Sequence, residues 1–202
     1  MQNGKGSLLK QRKTMNDQEY TNPFFNRLSK ALPPVQPTLP EGGFESPSQQ
    51  DTFYMSLAIE QAKLAAMEGE VPVGALALWE DGRVVGLGRN RREGDKCALC
   101  HGEIEAIAHA CGTLHGWRLH KCTLYVTLEP CPMCAGAIMN ARIKRVVYGA
   151  KDPKAGAYGS LFHLNDLAVN HKPEIVGGVM EQECAALLKD FFASLREKRT
   201  GG

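Results

Sequence analysis

No stretch of this chain approaches the roughly 18 consecutive apolar residues that a membrane span requires, although 43% of its 202 residues are hydrophobic. That content is ample for one sizeable core, so a single soluble domain is expected. Charge of one sign is also scarce. The 24 Lys and Arg against 22 Asp and Glu leave a net charge of +2, too little to announce a nucleic-acid binder by composition. No secretory signal is visible, because the longest early apolar run is Leu8-Leu9. Seven cysteines are an odd number, and their strongest cluster has metal spacing rather than that of a disulfide framework. A reducing cytoplasm is the expected location.

What is present is concentrated in two short segments. His101-Gly102-Glu103 and, later, Glu129-Pro130-Cys131-Pro132-Met133-Cys134 read H-x-E then P-C-x-x-C, the signature of zinc-dependent nucleobase deaminases. A catalytic zinc takes three protein ligands and keeps one position open. One His and two Cys supply the three, which leaves Glu103 uncommitted. Cys131 and Cys134 sit at an expected helix start, where residues three apart share a face and where Pro130 and Pro132 are well tolerated. The positive end of the helix favours thiolates. His101 heads a second expected helix, Gly102 to Cys111, whose Ile104, Ile107, Ala108 and Cys111 recur at helical spacing. Zinc lowers the pKa of a bound water to roughly 7. Glu103 would then serve as the general acid/base of a hydrolytic deamination that releases ammonia.

Two rival patterns share these residues. Cys97-Ala98-Leu99-Cys100-His101 reads C-x-x-C-H, a c-type haem attachment motif, but haem attachment normally follows export and no export signal is seen. Cys97/Cys100 with Cys131/Cys134 resembles a structural zinc ribbon. The separation, 131 − 100 = 31, exceeds the usual spacer of roughly 15–20 residues, and a ribbon leaves His101 and Glu103 unexplained. Cys97 and Cys100 therefore read as loop cysteines.

Residues 1–50 are polar, with Pro33, Pro34, Pro37 and Pro40 in a short window, and read as an unstructured N-terminal extension. The extension carries Asp17, Glu19, Glu41 and Glu45, unlike an acid-poor transit peptide. From 51 to 202 the pattern is that of one domain. An amphipathic helix through Leu57, Ala58, Gln61, Leu64 and Ala65 ends near Gly69. Strands are expected at Val73–Trp79, Val84–Gly88, Thr123–Leu128, Arg145–Tyr148 and Glu174–Val179. Asp81-Gly82 is the turn of the first hairpin. Helices are expected at 101–111, 131–141 and 181–198, with a short helical piece near 161–169. The fold class is α/β, three layers α/β/α around a central mixed five-stranded sheet. Both metal motifs fall where the chain enters a helix, at the edge where such sheets place ligands. Basic clusters at Arg89/Arg91/Arg92, Arg142/Lys144/Arg145, Lys151/Lys154 and Arg196/Lys198/Arg199 suggest a polyanionic substrate.

From about Asp51 to Arg199 the chain resembles the bacterial tRNA-specific adenosine deaminases of the cytidine-deaminase-like superfamily. The likeness reaches well beyond the zinc motif, to Glu70-Val71-Pro72-Val73-Gly74-Ala75, Leu124-Tyr125-Val126-Thr127-Leu128-Glu129, Cys134-Ala135-Gly136-Ala137, the run Gly149 to Ala157, and Glu183-Cys184-Ala185-Ala186-Leu187-Leu188. It implies conversion of the wobble adenosine of a tRNA anticodon stem-loop to inosine by a homodimer with one zinc per chain. It also implies that Asn90 and Gly102 contact the target base and that Asp152 lies near an anticodon-loop ribose, where a 2′-hydroxyl distinguishes RNA. Gly102 stands where the family usually has Ala, and Cys97-Ala98-Leu99-Cys100 replaces a more polar approach to the histidine. By motif alone, the alternative is a deaminase of free nucleobases or nucleotides such as guanine, cytosine or deoxycytidylate.

Overall fold

The computed structural model describes residues 36–200. The expected N-terminal extension falls for the most part outside the described residues. Helix α1 (Pro47–Met67) starts before residue 51, because Ser46 caps it by accepting the Gln49 N–H at 3.2 Å and Pro47 occupies the first turn. Strands β1 (Gly74–Trp79) and β2 (Val84–Arg89) form the expected hairpin, with Gly82 at φ +86° in its turn. A short helical turn, α2 (Arg92–Asp95), then precedes α3 (Gly102–Thr113). The remaining elements are β3 (Cys122–Leu128), α4 (Pro132–Asn140), β4 (Arg145–Ala150), a 3₁₀ turn at Leu164–Asp166, β5 (Glu174–Gly177) and α5 (Glu181–Thr200).

The five strands form one sheet in the order β2-β1-β3-β4-β5, antiparallel from β2 to β3 and parallel from β3 to β5. Alternation along the pleat divides the core. Leu124, Val126, Val146 and Tyr148 face one apolar cluster with residues of α3 and α4, while Tyr125 and Val147 face a second with residues of α1 and α5. The architecture is therefore the expected three layers around a mixed sheet. Across the second face, Arg145 grips Asp51 of α1 through two bonds of 2.7 and 2.8 Å, and the Tyr125 hydroxyl donates to the same carboxylate at 2.9 Å. One buried carboxylate thus ties α1 to β3 and β4.

Helix α3 forms where its apolar spacing predicts, but it does not bury the whole of that stripe. Its buried residues are Gly102, Glu103, Glu105, Ala106, Ile107, His109 and Ala110, whereas Ile104, Ala108 and Cys111 are only half-buried. The cause lies in β2. A Cβ on Gly88 would stand 2.6 Å from the Ala106 nitrogen and closer still to the Gly102 carbonyl, and one on Gly86 would crowd Ala106 and Ala110 in the same way. Two glycines let the helix backbone lie directly on the strand. The small residues Gly102, Ala106 and Ala110 then lie against the strand, with Ile107 beside them in the core.

Candidate active site

The parallel strands β3 and β4 end at Leu128 and Ala150, β2 ends at Arg89 and β1 begins at Gly74, all at one edge of the sheet. A cavity of ≈ 230 Å³ opens there, lined by residues that include Asn90, Arg92, His101, Gly102, Glu103, Glu129, Cys131 and Asp152. Its size is below the roughly 300–1,000 Å³ of pockets for drug-sized ligands and suits one flat ring.

His101 and Cys131 are the N-cap residues of α3 and α4, both in extended conformation with no side-chain capping bond. Two positive helix ends therefore meet at the cavity. The His101 Nδ1 lies 3.7 Å from the Cys131 Sγ and 3.5 Å from the Cys134 Sγ. A tetrahedral ion held at ordinary Zn–N and Zn–S lengths separates such donors by about 3.6 Å. The three donor atoms all lie within 4.8 Å of one another, and among the described residues this is the one group of three or more His, Cys, Asp or Glu able to hold a metal. The Cys131 thiol is pulled down to about 4, first by the hydrogen bond from Cys134 and then by His101, against burial. Cys134 moves up because it shares its proton with that thiolate and is buried. His101 moves up through its bond to Cys131. Protons shared inside a buried S/S/N cluster are what a divalent ion would replace.

Cys97 and Cys100 do not join the group, so the four-cysteine ribbon is not assembled. They flank a turn in which the Cys100 N–H donates to the Cys97 carbonyl at 3.2 Å, and the buried Cys100 thiol donates to Asp95 at 3.5 Å. Burial pushes the Cys100 thiol up.

Glu103, only 3% exposed, has an Oε2 that is buried without a hydrogen-bond partner. Burial raises its pKa above the ordinary carboxylate value. Asn90 is buried too, and its amide NH₂ donates to the Glu70 Oε2 at 3.2 Å. Because a carboxylate only accepts, that bond fixes which end of the Asn90 amide faces Glu70 and leaves its carbonyl oxygen for a ligand. Gly102 lies tightly between strands: a Cβ there would meet the Val73 carbonyl and the Arg89 Cα at 3.3 Å. Asp152 lines the cavity while its Oδ1 accepts the Lys154 and Ala155 N–H groups at 2.9 and 3.2 Å, so it also opens a turn.

Two glutamates escaped the sequence reading, which quoted them only as motif members. Glu70 accepts the Glu93 and Gly94 N–H groups at 3.1 and 2.6 Å as well as Asn90, and so holds the loop after β2. Glu129 does the same for the loop after β4. The basic clusters also need correction. Arg89 and Arg91 are paired with Glu68 at 2.7 and 2.9 Å, Arg145 with Asp51 and Glu174, and Arg142 donates to Asn170. Of the first cluster, only Arg92 lines the cavity.

Residues 49–196 match the MafB19-like deaminase family. A tRNA-specific adenosine deaminase from Bacillus subtilis strain 168 is 47% identical over 151 residues, covering 74% of this chain and 93% of that protein. The chain belongs to the tRNA-specific adenosine deaminase family. Another tRNA-specific adenosine deaminase, from Haemophilus influenzae, is 42% identical over 153 residues, covering 75% of this chain and 88% of its own length. A structure solved in a study of A-to-I editing by tRNA:A34 deaminases at the wobble position of transfer RNA aligns with TM-score 0.65 and 43% identity, covering 68% of this chain and 99% of that one. For a tRNA-specific adenosine deaminase family member, a donor trio, a buried acid and a ring-sized cavity form one continuous site.

Proposed function

We propose that this chain converts the wobble adenosine of a tRNA anticodon to inosine, adenosine and water giving inosine and ammonia. One zinc ion per chain is held by His101, Cys131 and Cys134. The observation that carries this reading is the buried Glu103 Oε2, which lacks a hydrogen-bond partner beside a three-donor group, in a chain 47% identical to a tRNA-specific adenosine deaminase. Zinc bound by the trio would supply a Lewis acid that makes a water nucleophilic near neutral pH.

Glu103 would carry the two protons of the attacking water in turn, the first to the purine ring nitrogen and the second to the amine that leaves as ammonia. Its burial suits that task, because desolvation lifts a carboxyl toward the range where it both takes and gives protons. Asn90, locked by Glu70, offers its carbonyl oxygen to the base. The backbone N–H of Gly102, at the first turn of α3, has no intrahelical acceptor and is available to the same ring. Asp152, which also lines the cavity, meets the ribose of the anticodon loop, where a 2′-hydroxyl contact selects RNA. Exposed Lys151 and Lys154 flank it and suit a phosphate backbone. The partly exposed apolar stripe Ile104, Ala108 and Cys111 offers α3 as the face on which a second copy packs into a homodimer. Cytoplasmic residence fits a tRNA substrate and thiolate ligands kept reduced.

The experiment is incubation of metal-loaded protein with a tRNA bearing adenosine at the wobble position, alongside guanine, cytosine and deoxycytidylate. Inosine in the tRNA, with binding that weakens as salt rises, is expected. Deamination of the small molecules alone would replace this reading with the free-base alternative.

A further inference from the structure

Glu129 is 2% exposed, yet among the described residues no Lys or Arg forms an ion pair with it. All the donors that reach its carboxylate belong to one loop, three of them backbone N–H groups. Its Oε2 accepts the Asp152 N–H at 3.2 Å and the Ser160 hydroxyl, and its Oε1 accepts the Tyr158 and Ser160 N–H groups at 2.9 and 3.0 Å. Gly156 completes the cradle: a Cβ there would fall 2.5 Å from the Glu129 Oε1 and closer still to its Cδ and Oε2. Its φ is not in the left-handed region, so the glycine is required by space rather than by backbone conformation. Burying a carboxylate without a cation is costly unless hydrogen bonds satisfy it. Here the bonds are spent on shaping residues 152–160.

The same loop has an outer side. Asp152 and Ala155 line the cavity, and the Ala157 N–H donates to the Pro130 carbonyl at 2.9 Å, beside Cys131. Asp152 is thus fixed at both ends, its N–H by Glu129 and its Oδ1 by the turn to Lys154 and Ala155. We infer that Glu129 is a positioning residue: its carboxylate is the template on which the 152–160 loop, and Asp152 with it, is set against the anticodon strand. The inference rests on the proposed action on tRNA.

Glu129→Gln keeps the shape but turns an NH₂ group toward donors. One hydrogen bond to a charged group is worth about tenfold or more. Hydrogen exchange at the Asp152, Tyr158 and Ser160 amides should therefore accelerate about tenfold or more in the metal-loaded full chain, while the Leu124 and Val126 amides of β3 keep their protection. The kcat/KM on an anticodon stem-loop should fall by about tenfold or more, with one metal per chain retained. In an Asp152→Ala background the same substitution should cost less than about threefold, because residues acting through one another are not additive. Ser160→Ala, which removes a single donor and is mild enough to fold, should move both readouts in the same direction by less. Unchanged exchange, full additivity with Asp152→Ala, or loss of the metal would overturn the inference, the last by placing Glu129 behind Cys131 instead. If the parent protein leaves the stem-loop unmodified, the functional reading has failed, and the exchange measurement alone decides whether Glu129 templates the loop.

Discussion

Adding one methyl group at Gly88 should damage the metal site from the far side of a helix. The new Cβ would lie 2.6 Å from the Ala106 nitrogen, while real Cβ contacts essentially never fall below 3.0 Å, so the start of α3 must retreat by at least 0.4 Å. His101 caps that helix start, and its Nδ1 now stands 3.7 and 3.5 Å from the two sulfurs, which belong to another element. Ligand distances tolerate only about 0.2 Å either way. Gly88→Ala is therefore expected to cost about 1–3 kcal/mol of stability, the usual range for overpacking. For a domain of this size, that lowers Tm by roughly 2–12 °C. It should also reduce metal content below one per chain. Gly136→Ala is the control, because the identical chemical change in the middle of α4 meets nothing within 4 Å. It should raise stability by about 0.5–1 kcal/mol, since Ala replaces Gly in a helix. Differential scanning calorimetry and metal analysis on the two proteins read both effects. Parental Tm and full metal content in Gly88→Ala would refute the idea that α3 is seated on a bare strand.

Other outcomes follow from the same geometry. Asp51→Ala should cost about 1–3 kcal/mol, because it leaves the buried Tyr125 hydroxyl without its acceptor and Arg145 with Glu174 alone; urea unfolding checks this, and a loss under about 1 kcal/mol would deny the cluster its role. The double variant Cys97→Ser/Cys100→Ser should keep one metal per chain and parental turnover, whereas Cys134→Ser should lose the metal; a metal deficit in the double variant would bring those cysteines back into the site. Because burial raises the Glu103 carboxyl and the reaction needs it ionised, deamination should decline as pH falls through a value above the ordinary glutamate value of about 4.3; a flat rate from pH 8 down to pH 4.5 contradicts that.

The donor trio was legible because its chemistry is local. Spacing alone put Cys131 and Cys134 on one helix turn and His101 at the head of another, and the strands of the sheet stood out as apolar runs. What stayed hidden depends on neighbours far away in sequence. The stripe Ile104, Ala108 and Cys111 is a correct helical period but not the buried face, because the glycines of β2 decide which side of α3 approaches the sheet. The arginines looked available, yet Glu68, Asp51 and Glu174, distant along the chain, hold most of them. The piece expected near 161–169 shrinks to a 3₁₀ turn at Leu164–Asp166, and α2 lay unmarked in a polar loop. Glu70 and Glu129 were visible letters whose partners are backbone N–H groups, which carry no sequence signature.

The most direct test of the account pairs the parent protein with Glu103→Gln, both loaded with one metal per chain. Each is incubated with a tRNA carrying adenosine at the wobble position, and position 34 is read by sequencing. The account predicts inosine with the parent, and no detectable inosine with the variant even though it retains its metal. Inosine formed by both at similar rates would remove the proton carrier from the mechanism, and none formed by the parent would contradict the substrate itself.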